Sequence, residues 1–246
     1  MYRFHSSPRN INSCEISIED KNQLHHLRDV LRLKTNDKVV VFDDKGNEYN
    51  CLVKNLFNSK AVLEIKSRKT PSEEVKVALT VACAIPKKSK MDDIIDKLTQ
   101  LGVTRIIPLS TQRVVVKLDK AKEHLKLSRW QKIAMASAKQ SQRAKLPIIE
   151  PIKDIKEVLR RNKEIFDLKL IPTLVDSGRK SLKEVLGRTN PRSILVFIGP
   201  EGDFTPEEID LAISSGCIPV SLGESVLRVE TAAVAVASYI KLYEDS

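Results

Sequence analysis

The sequence predicts an α/β domain with a mainly parallel sheet, preceded by a small all-β block, and three observations predict it. From Val75 onward, short β-favouring apolar runs alternate with amphipathic runs of helical length, as in a parallel sheet covered by helices on both faces. Before residue 70 the strand-like runs are short, regularly spaced and separated by polar turns, as in a small barrel or sandwich. Between the two, "SRKTPSEEVK" (67–76) has no apolar period and carries a proline, so it reads as a linker. The expected domains are residues 1–70 and 75–246.

In the first block, "EDKNQLHHLRDVLRLK" is a helix marked by Leu24, Leu27, Leu31 and Leu33. "NDKVVVFDDKGNEYNCLVKNL" is a strand, a turn at Asp43-Asp44-Lys45-Gly46-Asn47, and a second strand; "SKAVLEIK" is a third. In the second block strands are expected at 77–85, 105–109, 168–175, 193–198 and 218–222. Helices are expected at 91–101, 121–142, 153–161, 180–186, 205–215 and 229–244; in the first, Ile94, Ile95, Leu98 and Leu101 share a face and Gly102 ends it. "SILVFI" (193–198) is apolar almost throughout, as a strand buried on both faces must be. Thr205, Pro206 and Glu208 then start a helix: a hydroxyl cap, a first-turn proline and a reciprocal glutamate.

Composition narrows the class. Of 246 residues 41% are hydrophobic and 30% charged, which suits a soluble globular chain. No apolar run approaches the roughly 20 residues that span a bilayer, and "MYRFHSSPRN" lacks a signal-peptide core, so the expected location is the cytoplasm, away from membranes. Cys14, Cys51, Cys83 and Cys217 are far apart and His25-His26 point different ways on a helix, so neither disulfide framework nor metal site is expected. The net charge of +10 favours a polyanionic partner.

The most informative stretch is Gly199-Pro200-Glu201-Gly202-Asp203-Phe204, between a buried strand and a helix start. That is a carboxyl-edge crevice, where α/β sheets bind ligands. Glycines 199 and 202 are expected to allow close backbone approach and positive φ. The spacing fits neither a dinucleotide fingerprint nor a phosphate loop, and a tight turn is the plain alternative. A second segment, "SLGESVLRVETAAVAVASYIKLY", turns at Gly223 and enters an Ala/Val-rich helix whose opening carries Arg228, Glu230 and Thr231. An arginine and a carboxylate beside a glycine loop are either chemical groups or a helix-end ion pair.

Together, "IGPEGDFTPEEIDLA" and "LGESVLRVETAA" resemble the RsmE family of 16S ribosomal RNA uridine-N3 methyltransferases. "YRF", "HHLRDVLRLKTNDKVVVFDDKGNEY" and "KLTQLGVTRIIPL" also look like family segments, so the resemblance covers nearly the whole chain. It implies a SPOUT-type, trefoil-knotted methyltransferase domain behind a PUA-like RNA-binding barrel. Three positions depart from the family pattern: Asp203 and Gln142 stand where glycine is usual, and Ser225 where arginine is frequent.

The resemblance implies that S-adenosylmethionine is held by three loops: Thr173 and Leu174; Ile198, Gly199, Pro200, Glu201 and Gly202; and Leu222, Gly223, Val226, Leu227 and Arg228, with Thr231 nearby. Methylation at N3 requires loss of a weakly acidic proton and stabilisation of the resulting charge. Arg228, or else Arg143, would supply the stabilisation, and Glu201 or Glu230 would accept the proton. Candidate RNA contacts are Arg3, Arg9, Arg28, Arg32, Lys34, Lys87 and Lys88. Aromatics are only 4% of the chain, so phosphate and shape contacts to folded 16S rRNA or the small ribosomal subunit are expected over base stacking. A homodimer is expected through the last helix, with Val236, Tyr239 and Ile240 on its outer face. Two other classes compete: a non-catalytic RNA-binding or ribosome-assembly protein, and a nucleotide-dependent enzyme. The intact glycines argue against the first and the missing phosphate-loop lysine against the second.

Overall fold

The computed structural model describes residues 1–70, 77–87, 90–113, 120–161, 166–175 and 178–244. The chain forms two compact units, Met1–Glu74 with Met135–Leu146, and Val75–Ala134 with Pro147–Ser246. Met135–Leu146, placed by the sequence in the second domain, therefore counts with the first.

The first unit contains β1 (Tyr2–His5), β2 (Glu15–Ile18), α1 (Lys21–His25), β3 (Lys38–Phe42), β4 (Glu48–Leu56) and β5 (Ala61–Lys69). The strands form one sheet in the order β1-β3-β4-β5-β2, with β1 parallel to β3 and the other pairs antiparallel. The expected hairpin and third strand are present; β1 and β2, four residues each, are additions that short sequence patterns do not reveal. Residues Ser67–Lys69 of the expected linker belong to β5, and 71–76 lie outside the described residues. Past His25 the helix widens into a π turn, His26–Val30, so Leu24 and Leu27 are buried within it and Leu33 just beyond it.

From Ala78 the chain runs β6 (Ala78–Ala84), α2 (Lys90–Gln100), β7 (Arg105–Ser110), α3 (Lys120–Gln140, whose last six residues count with the first unit), β8 (Ile148–Ile149), β9 (Lys153–Asp154) and α4 (Ile155–Arg161). It continues through β10 (Leu168–Pro172), β11 (Lys180–Ser181), α5 (Leu182–Gly187), β12 (Ser193–Ile198), α6 (Pro206–Ser214), β13 (Ile218–Ser221) and α7 (Val229–Glu244). The strands order as β11-β13-β10-β12-β6-β7-β8, with β9 also on β7, and every pair is parallel. Side-chain alternation puts Ile194, Val196 and Ile198 of β12 in one core with α2, α5 and α7, and Leu195 and Phe197 in another with α4 and α6. Both faces of β12 are thus covered, which is why its sequence is continuously apolar.

Three cysteines are core residues. Burial pushes the thiols of Cys51 and Cys217 up to about 12 and raises that of Cys83, so all three stay neutral; Cys14 is exposed. Among the described residues no group of three His, Cys, Asp or Glu side chains could hold a metal ion, and no helix is long and apolar enough to cross a membrane.

Candidate active site at the carboxyl edge of the parallel sheet

β10, β12 and β13 are neighbours in the sheet and all end on the same edge, so the loops leaving Pro172, Ile198 and Ser221 meet there. They enclose one cleft, lined by Thr173, Leu174, Ile198, Gly199, Glu201, Leu222, Gly223, Val226 and Leu227. The strand expected over 168–175 stops at Pro172, and Thr173 and Leu174 leave the sheet to form this wall. Pro200, Gly202, Arg228 and Thr231 do not line it. Arg179, Asp203, Ser225 and Ala232 do, although the sequence did not mark them as binding residues.

The glycine loop is held from three directions. α6 opens with a complete capping box: Glu208 N donates to Thr205 Oγ1 (3.3 Å) and Thr205 N to Glu208 Oε2 (2.9 Å). The other oxygen of Glu208, which is buried, accepts from Gln112 N at 2.9 Å and ties the loop after β7 to the helix start. From that same loop Arg113 reaches across, its Nη1 donating to the carbonyls of Gly202, Asp203 (3.4 Å) and Phe204 (3.3 Å).

On the cleft side, Asp203 is the tie. Its Oδ2 accepts from Thr173 Oγ1 (2.9 Å) and Leu174 N (2.7 Å), and its Oδ1 from Phe204 N (2.8 Å). Asp203 has φ 61° and Gln142 φ 58°, so both positions at which the resemblance led glycine to be expected have a left-handed backbone here. Gly199 and Gly202, expected to need positive φ, are not among the positive-φ residues; Gly223, at 118°, is. Gly199 instead lacks room: a Cβ there would lie 3.2 Å from Asp203 Oδ1 and from the buried Phe204 ring.

The charged candidates separate. Glu201 lines the cleft and accepts from Lys87 N at 3.3 Å. Glu230 is paired with Lys90 Nζ at 2.7 Å, and that hydrogen bond holds its carboxyl below the ordinary glutamate value. Arg228 is exposed, and among the described residues its guanidinium makes no hydrogen bond or ion pair. Arg143 belongs to the first unit, where burial lowers its pKa.

Among the candidate RNA contacts, Arg3 is structural: it pairs with Glu48 and its guanidinium lies 5.4 Å from the Phe42 ring centroid. Arg28 pairs with the adjacent Asp29. Arg9, Arg32, Lys34 and Lys87 are exposed, and Lys88 lies outside the described residues. On α7, Val236 and Ile240, expected on the outer face, are fully buried in the chain's own core; the exposed apolar residues are Tyr239, Leu242 (70%) and Tyr243.

Similarity to known proteins identifies the class to which this fold belongs. Residues 73–241 match the family model described as the RNA methyltransferase domain, and residues 18–66 that of the RNA methyltransferase PUA domain. The fold is that of an RNA methyltransferase. The chain is 34% identical over 248 residues to the ribosomal RNA small subunit methyltransferase E of Synechocystis, covering 99% of this chain and 78% of that protein. With the protein of the same name from Mesomycoplasma hyopneumoniae the identity is 32%, over 95% and 96% of the two chains. The crystal structure of ribosomal RNA small subunit methyltransferase E from Neisseria gonorrhoeae bound to S-adenosyl methionine superposes with a TM-score of 0.86, at 29% identity over 99% and 98% of the chains. The chain belongs to the ribosomal RNA small subunit methyltransferase E family.

Proposed function

We propose that this chain transfers a methyl group from S-adenosylmethionine to N3 of a uridine in 16S ribosomal RNA, in the cytoplasm, as a homodimer. The observation that carries the reading is the meeting of three strand-end loops in one cleft. The cleft's chemistry fits the donor. Leu174, Leu222, Val226 and Leu227 offer apolar walls for an adenine ring, and Gly223 carries no side chain to block main-chain recognition. Arg179, steadied by its bond to Thr173 O (3.2 Å), is suited to the donor's carboxylate, and Asp203 to its cationic groups.

Bound S-adenosylmethionine supplies an electrophilic methyl group. The chain must then take the N3 proton and stabilise the charge left on the ring. Glu201 is favoured over Glu230 as acceptor, because it lines the cleft while Glu230 is held in an ion pair with Lys90, whose hydrogen bond lowers its affinity for a proton. Arg228, next to Leu227 of the cleft wall and without a competing ion pair among the described residues, is the favoured electrostatic group, and Arg143 the second. The knotted path of SPOUT proteins is part of this reading, as is pairing of two copies through the exposed Tyr239, Leu242 and Tyr243 face of α7.

Calorimetry with S-adenosylmethionine tests the reading at its base. Saturable one-site binding to the wild-type protein is expected. No binding at millimolar donor would make this a non-catalytic RNA-binding protein.

A further inference from the structure

A second cleft lies on the first unit, beside the β3–β4 hairpin, and none of the residues proposed above for RNA or donor lines it. Its floor is a buried polar network. The Asp43 carboxylate accepts from Lys45 N (2.9 Å), Asn47 N (2.9 Å), Asn47 Nδ2 (2.7 Å) and Tyr49 OH (3.1 Å). With four donors its lone pairs are fully used, so Asp43 is an anchor rather than a ligand-binding group. It fixes Asn47, whose remaining oxygen accepts from Arg68 Nη2 at 3.0 Å, and Tyr49, over whose ring the Arg68 guanidinium lies at 5.7 Å.

Arg68 is therefore an exposed cation held at two points. Among the described residues only Nη2 is hydrogen-bonded, and the guanidinium's other N–H groups are left to donate. A preorganised guanidinium with spare donors is suited to a phosphate. Lys45, exposed at the same cleft, adds a second positive charge, while Pro8 and Ile11 provide an apolar wall.

We infer that this cleft binds one nucleotide of the RNA substrate, its phosphate on Arg68 and Lys45 and its sugar or base against Pro8 and Ile11. The inference rests on the RNA methyltransferase reading and extends it to Arg68 and Lys45, which the sequence did not mark as RNA contacts. RNA is favoured over a free nucleotide because the cleft lies in the unit that contains the match to the RNA methyltransferase PUA domain (residues 18–66) and the chain carries a net charge of +10.

The test is fluorescence anisotropy of a small-subunit rRNA fragment with the full chain, titrated over salt, for wild type, Lys45→Ala and Arg68→Ala/Lys45→Ala. Lys45 contributes only its backbone N–H to the network, so its variant leaves the floor intact. The double variant is expected to bind about tenfold more weakly at low salt, with the log–log salt slope smaller by about one for each cation removed. Its affinity for S-adenosylmethionine should match wild type. Unchanged affinity and slope in both variants overturn the site, while the function proposed above stands. Uridine monophosphate binding here as tightly as the rRNA would make it a small-molecule site and also overturn the inference. Wild type that binds no RNA would contradict both the functional reading and this site.

Discussion

Asp203 combines an unfavourable backbone with a favourable side chain. A left-handed φ costs an L-residue roughly 1–2 kcal/mol, and the carboxylate offsets this with three hydrogen bonds, two of them to the Thr173–Leu174 wall of the cleft. Two substitutions separate the effects. Asp203→Gly removes both strain and tie, whereas Asp203→Ala removes the tie and keeps the strain, so the alanine variant should be the less stable by about 1 kcal/mol in denaturant melts. Both should weaken donor binding several-fold, and Asp203→Asn, which keeps an acceptor, should recover most of it. Donor affinity unchanged in Asp203→Gly would remove Asp203 from the account of the site.

The two glutamates make a second residue-level prediction. Glu201→Gln should lower kcat by about 10²-fold or more, as loss of a general base does, and Glu230→Gln should leave most of it. Because Lys90 lowers the Glu230 pKa, their pair contributes above the ordinary glutamate value and fades only as acid titrates the carboxylate below it. Stability of Glu230→Gln relative to wild type should therefore not vary with pH around neutrality. At this scale the sequence revealed the glycine loop but left the choice of glutamate open. The proposed choice rests on Lys90, 140 positions away from Glu230, and on the cleft that Glu201 lines.

Among the elements, α6 was legible because its signals are local. Thr205, Pro206 and Glu208 form the cap that their spacing predicts. Arg113 was not legible, since its contacts depend on how the loop after β7 lies against the loop after β12. In α7, alanine and valine content showed that the helix is largely buried but not which face; Ala233, Val236, Ala237 and Ile240 face inward and leave Tyr239, Leu242 and Tyr243 outside. The same geometry bears on the glycine loop. In Gly199→Val the new side chain meets Phe204 and Asp203 before it meets any ligand. Overpacking of this kind typically costs 1–3 kcal/mol, so the variant should melt earlier as well as lose donor binding in calorimetry. Loss of binding with an unchanged melt would mean that the loop relaxes around the valine.

For the whole molecule, the alternation of strands and helices was enough to give the fold class, because the central strands β6, β10 and β12 are buried on both faces and read as continuous apolar runs between amphipathic helices. The limits of the two units were less legible: Met135–Leu146 has no composition that sets it apart, yet Lys139 Nζ donates to Gln23 Oε1 of the first unit at 2.8 Å. Assembly has its own test. Light scattering should give about twice the 27.7 kDa chain mass, and Leu242→Glu, which places a charge on the exposed face of α7, should shift it towards monomer. A wild-type monomer that still methylates RNA would sink the homodimer.

The measurement that reaches the central claim most directly is nucleoside mass spectrometry of small-subunit rRNA incubated with the purified protein and isotopically labelled S-adenosylmethionine. The RNA is taken from cells lacking this activity and presented both free and as assembled subunits. The account predicts labelled 3-methyluridine at a single position, formed by wild type and sharply reduced by Glu201→Gln. Label on another base, on another atom of uridine, or on no nucleoside in either form of the substrate would contradict it.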